Sequence, residues 1–262
     1  MIKITFPDGA VRSYDKGVTP FEVARSIAEG LSKKVLAANV NGLVTDANHP
    51  IEGDASLQLL TWNDTAGKST FWHSSAHLMA EAVESIFPGV KFWVGPAVEN
   101  GFYYDMDLGD RKMSEEDLLS LEKKMNELAK KNSAFIRKKI SKTDAIQYFS
   151  EKGDEYKLDL LEGLQDGEIT FYTQGDFTDL CRGPHIPNTS FIKAIKLTSI
   201  AGAYWKGSEK NKMLTRVYGV TFPSQKELDE YLTMLEEAKK RDHRKLGKEL
   251  GIYTMDDDVG PG

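Results

Sequence analysis

Short apolar and polar segments alternate in the first part of the chain. Residues 3–6 and 10–14 alternate as strands do, and Pro7-Asp8-Gly9 between them is typical of a turn, so a β-hairpin is predicted. Thr19, followed by Pro20 and then by Glu22, has the pattern of a capped helix N-terminus. The apolar face of this helix, which is expected to end at Gly30, comprises Phe21, Val23, Ala24 and Ile27. Short strands are predicted at residues 34–40, 43–44 and 57–60. Residues 1–61 are thus predicted to form a ubiquitin-like β-grasp unit.

The pattern changes to helical spacing after a polar, turn-rich segment at residues 63–68, which is the predicted linker. A helix is predicted from about Ser69, with an apolar stripe at spacings of three and four: Trp72, Ala76, Met79, Val83 and Phe87. Strands are predicted within residues 91–107, and charged helices at 114–132 and 225–250. Leu228, Leu232 and Leu235 form the apolar stripe of the last helix. The predicted division is therefore 1–61, 62–224 and 225–262, with an α+β fold class.

Composition and charge exclude several classes of protein. The chain has 262 residues, of which 40% are hydrophobic, so it can bury a sizeable core. The net charge of −6 excludes a generally basic nucleic-acid-coating protein, and no apolar segment is long enough for a membrane span. The single cysteine excludes an intrachain disulfide and, with no signal peptide, predicts a cytoplasmic protein. The loop-like sequence at residues 256–262 suggests a piece cut from a larger protein.

Two short motifs contain most of the candidate chemistry. His73 and His77 are four residues apart on a predicted helix, so their imidazoles project from the same face, beside the apolar stripe. Cys181 and His185 have the same separation, but Gly183-Pro184 between them excludes a regular helix. The four side chains are consistent with a tetrahedral zinc site or with a metal-free hydrolytic pocket. They are also consistent with histidines at the surface and a small buried cysteine.

Other residues are ambiguous when each is taken alone. Asp176 and Asp179 precede the cysteine and offer carboxylates, whereas Lys157 by itself is typical of a solvated surface position. The aromatic residues at 102–104 could stack on a base, although strand core is the more ordinary interpretation. The basic residues between 239 and 248 have the pattern of a solvated helix face that could contact phosphate.

Taken together and in order, the motifs resemble those of the N-terminal part of bacterial threonyl-tRNA synthetases. The matching segments are His73-Ser74-Ser75-Ala76-His77, Val94-Gly95-Pro96, Gly101-Phe102-Tyr103-Tyr104-Asp105, Asp179-Leu180-Cys181-Arg182-Gly183-Pro184-His185, Ala201-Gly202-Ala203-Tyr204-Trp205-Lys206-Gly207, Asn211-Lys212-Met213-Leu214 and Arg241-Asp242-His243-Arg244-Lys245. The resemblance extends over essentially the whole chain. Lys206 departs from it, since an arginine is common there.

The resemblance implies a β-grasp TGS domain at 1–61, an α+β tRNA editing domain at 62–224, and at 225–262 a linker helix leading to a class II catalytic core outside this chain. It implies that the complete enzyme attaches threonine to its tRNA in an ATP-dependent two-step reaction and is a homodimer, whereas this part alone is expected to be a monomer. The expected activity of this part is hydrolysis of mischarged seryl-tRNA(Thr). ATP, magnesium and zinc are expected in the absent core, and no cofactor in this part.

The resemblance also implies roles for individual residues. His73 and His77 are expected to contact the terminal ribose hydroxyls and the attacking water, and Lys157 to activate water or stabilise the oxyanion. Asp179 is expected to bind the amino or hydroxyl group of the serine moiety, and Cys181 and His185 to line the pocket. The candidate contacts to the acceptor end of tRNA(Thr) are Tyr104, which would pack against the terminal adenosine, Gly95 and Arg182. No metal is expected in this site.

A second hypothesis comes from a different class of protein. In it the chain is a tRNA-binding module without hydrolytic activity, and His73, His77, Cys181 and His185 hold a structural zinc ion. A fully ligated zinc leaves no coordination position for water, so the site would be inert.

Overall fold

The computed structural model describes residues 1–241, which divide into a compact unit at Met1–Pro223 and a second unit that begins at Ser224. The predicted end of the last helix at residue 250, part of the basic segment and the segment 256–262 lie outside the described residues. No helix in the described part is long and apolar enough to cross a membrane.

The first part of the chain forms a five-stranded sheet in the order β2-β1-β5-β3-β4. Strands β1 and β5 are parallel, and the other neighbouring pairs are antiparallel. Ile4, Val23, Ala38 and Leu57 pack in its core, which confirms the predicted β-grasp unit. Its elements are β1 (Ile2–Thr5), β2 (Val11–Tyr14), α1 (Pro20–Ile27), α2 (Glu29–Ser32), β3 (Ala37–Val40), β4 (Leu43–Asp46) and β5 (Ala55–Leu60).

Helix α1 begins as its sequence predicts. The Thr19 side chain accepts a hydrogen bond from the Glu22 backbone N–H, and the Glu22 carboxylate accepts one from the Thr19 backbone N–H at 2.9 Å. Such a cap stabilises a helix by about 1 kcal/mol. The predicted end at Gly30 is wrong, because the backbone is extended at Ala28 (φ −162°) and Gly30 lies within the separate helix α2.

The rest of the first unit contains two antiparallel sheets. One has the order β12-β13-β8-β6, with β7 paired to β8, and the other has the order β11-β10-β9. The strands are β6 (Lys91–Phe92), β7 (Ala97–Val98), β8 (Gly101–Asp107), β9 (Ile136–Lys139), β10 (Thr170–Gln174), β11 (Phe177–Leu180), β12 (Ala194–Tyr204) and β13 (Met213–Phe222). The helices are α3 (Thr65–Ile86), α4 (Glu115–Lys130), α5 (Lys142–Lys152) and α6 (Glu155–Glu162). The mixture of helices and antiparallel sheets confirms the α+β class.

The predicted linker at residues 63–68 is largely wrong, because helix α3 already begins at Thr65. The Asp64 carboxylate accepts hydrogen bonds from the Thr61 backbone N–H at 2.7 Å and from the Thr61 hydroxyl at 3.0 Å. Gly67 lies so close to the Thr61 carbonyl that a Cβ would overlap it. Strand β5 therefore leads into α3 through a tight turn.

Helix α3 is buried on more than one side. The predicted stripe is buried, but so are Ser74, Ser75, His77 and Glu81. The hydroxyls of Ser74 and Ser75 donate to backbone carbonyls one turn earlier, which satisfies them inside the protein. Sequence analysis placed the two histidines beside the buried stripe. His77 is itself buried, since only 2% of its surface is exposed.

The second unit begins with helix α7 (Gln225–Lys240), whose start agrees with the prediction. The Ser224 side chain caps it by accepting a hydrogen bond from the Glu227 backbone N–H. Leu228 is buried, whereas Leu232 and Leu235 are half-buried.

Candidate active site

Helix α3 and the loop after β11 bring four side chains together. The ligand atoms of His73, His77, Cys181 and His185 all lie within 4.8 Å of one another, and we call this group the imidazole–thiol cluster. The Cys181 Sγ lies 3.3 Å from the Nε2 of His73 and 3.3 Å from the Nε2 of His185. The two motifs that sequence analysis singled out thus meet at one site.

His185 is held from several sides. It is 1% exposed, and its ring stacks on Phe135 at 4.9 Å between centroids and meets the edge of Tyr172 at 4.4 Å. The Ser74 hydroxyl donates to the Thr70 carbonyl, so its oxygen accepts from His185 Nδ1–H at 3.0 Å. This assignment leaves the Nε2 lone pair facing Cys181. Burial lowers the pKa of His185 well below its usual range, so the ring is neutral at pH 7.

His73 and His77 complete the cluster. Burial lowers the pKa of His73, and a hydrogen bond to the Pro184 carbonyl opposes this only in part. The His77 ring packs against the His185 ring at 4.3 Å and the Phe177 ring at 5.9 Å. Its Nδ1 is buried and has no hydrogen-bond partner among the residues that the structure describes. A buried ring nitrogen in this state is available to a ligand or water.

A second polar group adjoins the first and has a different character. Lys157 Nζ lies 2.7 Å from Asp179 Oδ1 and donates to the Trp93 carbonyl at 2.9 Å, while the Tyr104 hydroxyl donates to the other Asp179 oxygen. We call Lys157, Asp179 and Tyr104 the lysine–aspartate cluster. Lys157 is 2% exposed, so the solvated position expected for it when taken alone is wrong.

The charges of the lysine–aspartate cluster are compensated internally. Burial by itself raises the pKa of Asp179, but the charge of Lys157 and the hydrogen bonds from Lys157 and Tyr104 outweigh it and hold this pKa below its usual range. Burial and the Asp179 charge raise the pKa of Tyr104 far above its usual range, so its hydroxyl stays protonated. Both oxygens of Asp179 are engaged, so a further ligand would have to replace one of these partners.

The three candidate tRNA contacts lie in different surroundings. Tyr104 is only 1% exposed, and its ring packs on Phe92 at 5.2 Å between centroids. No face of the ring is therefore exposed for the expected packing on an adenosine. A Cβ at Gly95 would overlap the Tyr104 ring, which gives this glycine a packing role. Arg182 is exposed and lines two cavities, of about 130 and 210 Å³, and the larger one also contacts Cys181.

Sequence analysis missed several residues of this site. Ser74 and Tyr172 orient His185, and the Asp46 carboxylate bonds to both the Tyr172 hydroxyl and the His185 backbone N–H. Ser74 could have been found from its place in the His73 motif, but no pattern connects Asp46 with residues so far along the chain. Asp176, a sequence candidate, is exposed in the turn between β10 and β11.

The donor set of the imidazole–thiol cluster is also compatible with zinc. Zinc at about 2.0–2.3 Å from nitrogen and sulfur holds its ligand atoms about 3.5 Å apart. Two pairs in the cluster, at 3.3 Å each, meet this spacing. The hydrogen bond between Ser74 and His185 Nδ1 is the kind of contact that orients a metal-binding histidine. The same arrangement, with the unpartnered Nδ1 of His77 among the described residues, is equally compatible with a metal-free site.

The comparisons with known proteins identify the two domains of the first unit. Residues 2–61 match the TGS domain model, and residues 169–218 match the model of the threonyl and alanyl tRNA synthetase second additional domain.

Over its full length the chain is 66% identical to a threonine–tRNA ligase of Cytophaga hutchinsonii and 58% identical to one of Parabacteroides distasonis. It is 57% identical to one of Porphyromonas gingivalis. It spans 41%, 40% and 40% of these three relatives, about two fifths of their length. These findings confirm the resemblance: the chain matches the N-terminal part of bacterial threonine–tRNA ligases, with a TGS domain followed by the editing domain of that family.

Proposed function

We propose that this chain contains the editing site of a threonine–tRNA ligase and hydrolyses seryl-tRNA(Thr) at the acceptor end. The observation that carries the proposal is the imidazole–thiol cluster, in which His77 Nδ1 has no partner among the residues that the structure describes, next to the fixed charge of Lys157. The complete enzyme would use ATP to attach threonine to tRNA in protein biosynthesis. Its ATP, magnesium and zinc would belong to the catalytic core.

The need for such a site follows from the small difference between two amino acids. Serine lacks one methyl group of threonine and keeps the hydroxyl, and a pocket discriminates against the absence of one methyl by only about 1–3 kcal/mol. A threonine-activating site therefore also accepts serine. A second site that hydrolyses the serine ester and has no room for the methyl of threonine corrects the error.

The proposed reaction is attack of water on the ester carbonyl. The imidazole of His73 or His77 accepts the proton of the water as the C–O bond forms. The oxyanion of the tetrahedral intermediate lies near the Lys157 charge, which stabilises it. The ester C–O bond then breaks, the ribose oxygen accepts the proton from the imidazole, and serine is released.

Asp179 has two roles in this proposal. It fixes Lys157 through the ion pair, and it binds the ammonium group of the serine moiety by exchanging the Tyr104 hydroxyl for it. Cys181 and His185 shape the wall of the pocket and orient His73. Arg182, which is exposed beside both cavities, contacts the phosphates near the acceptor end.

A deacylation assay tests the proposal. The purified chain is mixed with tRNA(Thr) carrying labelled serine or labelled threonine, and loss of label is followed with time. We expect rapid release of serine and little release of threonine. The threonyl ester in the same preparation controls for contaminating hydrolases, and equal release of both amino acids, or of neither by the folded chain, would contradict the proposal.

The zinc-binding alternative has one observation in its favour, the four ligand atoms within 4.8 Å of one another. Metal analysis of the purified chain and of Cys181→Ala distinguishes the two hypotheses. The editing proposal expects Cys181→Ala to lower the deacylation rate without changing the metal content. Stoichiometric zinc, lost in Cys181→Ala, together with no hydrolysis by the wild-type chain would establish the binding module instead.

A further inference from the structure

The TGS domain contributes a carboxylate to the neighbourhood of the proposed editing site. Asp46, the last residue of strand β4, accepts a hydrogen bond from the His185 backbone N–H at 2.6 Å with Oδ1. Its Oδ2 accepts one from the Tyr172 hydroxyl at 2.7 Å. Hydrogen bonds to an ionised acceptor are shorter and stronger than those between neutral groups.

These two bonds act on the same imidazole. Tyr172 is 1% exposed, and its ring packs edge-on against the His185 ring at 4.4 Å. Asp46 therefore fixes His185 at its backbone and, through Tyr172, at its ring. A Cβ at Gly183 would overlap the Tyr172 hydroxyl, so the backbone of the Cys181–His185 loop packs directly against this phenol. Gly183 has a φ of +73°, which favours glycine at this close approach.

The remaining contacts of His185 come from the editing domain itself. Ser74 holds its Nδ1 and Phe135 covers one face of the ring. Together with Asp46 and Tyr172 they direct Nε2 at Cys181 Sγ. The TGS domain makes a second contact nearby, from the Asn48 side-chain amide to the Pro187 carbonyl at 3.4 Å.

We propose that Asp46 is a positioning residue of the editing site, so that the TGS domain completes this site by holding the Cys181–His185 loop in place. The inference rests on the proposed function for its kinetic consequence, but the geometry that it describes can be measured without any substrate. It assigns the TGS domain a part in hydrolysis that is separate from binding tRNA.

The kinetic test compares four variants of the full chain in seryl-tRNA(Thr) deacylation. Misplacing a reacting group by about 1 Å can cost about 100-fold in rate, so we expect Asp46→Ala to lower kcat by about 10- to 100-fold and to change KM by less than about twofold. Asp46→Asn keeps an acceptor for the His185 N–H, so we expect it to restore part of the loss. Tyr172→Phe removes only the hydroxyl, so a smaller decrease is expected.

Asp54→Ala is the matched control. Asp54 lies in the same domain, is exposed, and accepts a hydrogen bond from the Lys3 backbone N–H at 2.8 Å. It therefore loses the same kind of bond without contact to the loop, and we expect its kcat to equal that of the wild type. Thermal unfolding of all variants shows whether the folded fractions are equal, and Tyr172→Phe serves if Asp46→Ala fails to fold.

A second measurement uses Cys181, the only cysteine of the chain, as a probe. The rate of its alkylation by iodoacetamide is measured at one fixed pH in the folded wild-type chain and in each variant, and it reports how accessible the thiol is. In Asp46→Ala and Tyr172→Phe we expect this rate to rise, because the Cys181–His185 loop is no longer held against the TGS domain and exposes the thiol. Asp54→Ala should keep the wild-type rate.

The two measurements separate the failure of this inference from the failure of the proposed function. If the wild-type chain hydrolyses neither ester, the proposed function fails, and the alkylation rate alone decides the role of Asp46. Wild-type kcat and a wild-type alkylation rate in folded Asp46→Ala would overturn the positioning role. A rise in KM alone would also overturn it and would assign Asp46 to tRNA binding.

Discussion

The imidazole–thiol cluster and the lysine–aspartate cluster lie side by side in the editing domain, but their buried polar groups are stabilised in different ways. In the lysine–aspartate cluster each charge faces its counter-ion and the carboxylate has both oxygens engaged. In the imidazole–thiol cluster burial lowers the pKa values of His73 and His185, and one ring nitrogen of His77 has no partner within the described residues.

This difference predicts different roles for the two clusters. Groups that are fully paired are costly to move and provide a fixed field, whereas imidazoles with an unpartnered ring nitrogen can exchange protons and bind a ligand. We therefore expect substitutions in the imidazole–thiol cluster to affect activity most, and substitutions in the lysine–aspartate cluster to affect stability most.

The largest effect is expected for His73→Ala combined with His77→Ala. Loss of general acid–base groups typically costs at least about 100-fold in rate, so deacylation of seryl-tRNA(Thr) should fall by this factor or more. Because His77 is buried, we also expect the free energy of unfolding to fall, by about 1–3 kcal/mol. Single-turnover deacylation and urea denaturation measure the two quantities. Activity within tenfold of the wild type would exclude the cluster as the reacting site.

The next largest effect is expected for Lys157→Met. It leaves the Asp179 carboxylate buried without its counter-ion, which costs about 3–5 kcal/mol of unfolding free energy. Lys206→Met is the matched control, since Lys206 forms an ion pair with Asp159 at the surface, where such pairs contribute at most about 1 kcal/mol. Urea denaturation of both variants gives the comparison. Equal losses would show that the buried pair contributes no more than the exposed one.

A smaller effect is expected for Tyr104→Phe. The ring keeps its packing on Phe92, but Asp179 loses one charge-assisted hydrogen bond, so the free energy of unfolding should fall by about 1.5–3 kcal/mol. Tyr103→Phe, at the preceding position of strand β8, should leave the free energy of unfolding nearly unchanged. If the loss for Tyr104→Phe does not exceed that of its neighbour, the Asp179 carboxylate does not depend on this hydroxyl.

The two clusters are also expected to differ in pH dependence. The pKa values of His73 and His185 are lowered on folding, so their contribution to stability is full above the unfolded pKa of about 6.5 and decreases as the pH falls below it, by up to about 1.4 kcal/mol per pH unit for each group. The pKa of Asp179 is also lowered, but its contribution decreases only below about pH 3.9. Urea denaturation between pH 7 and pH 4.5 should show the first decrease in the wild type and a smaller one in His185→Gln. An unchanged slope in His185→Gln would contradict the neutral, buried state of this histidine.

Local features of the fold could be predicted from the sequence. The Thr19–Glu22 cap, the hairpin and the apolar stripe of α3 depend on residues a few positions apart, and all three are observed. The end of α1 and the start of α3 were predicted less well. They depend on an extended residue at position 28 and on a close approach of Gly67 to Thr61, neither of which periodicity reveals.

The candidate site could be predicted only in part. The spacing of His73 and His77 and that of Cys181 and His185 mark both motifs, but their meeting depends on tertiary structure that only the family resemblance supplied. Lys157 has no local signal, because it lies on helix α6 and its buried partner, the Asp179 carboxylate, lies on strand β11. Asp46 has none either, since its partners lie 126 and 139 residues further along the chain.

The tight turn between strand β5 and helix α3 has a consequence for synthesis on the ribosome. All five strands of the TGS sheet lie before Thr61, and α3 starts at Thr65, so the sheet can close as soon as the first turns of α3 have left the exit tunnel. The Asp46 carboxylate is then displayed at the end of β4 long before Tyr172 and His185 are translated. The nascent TGS domain thus presents a finished docking point to which the Cys181–His185 loop can attach when it emerges.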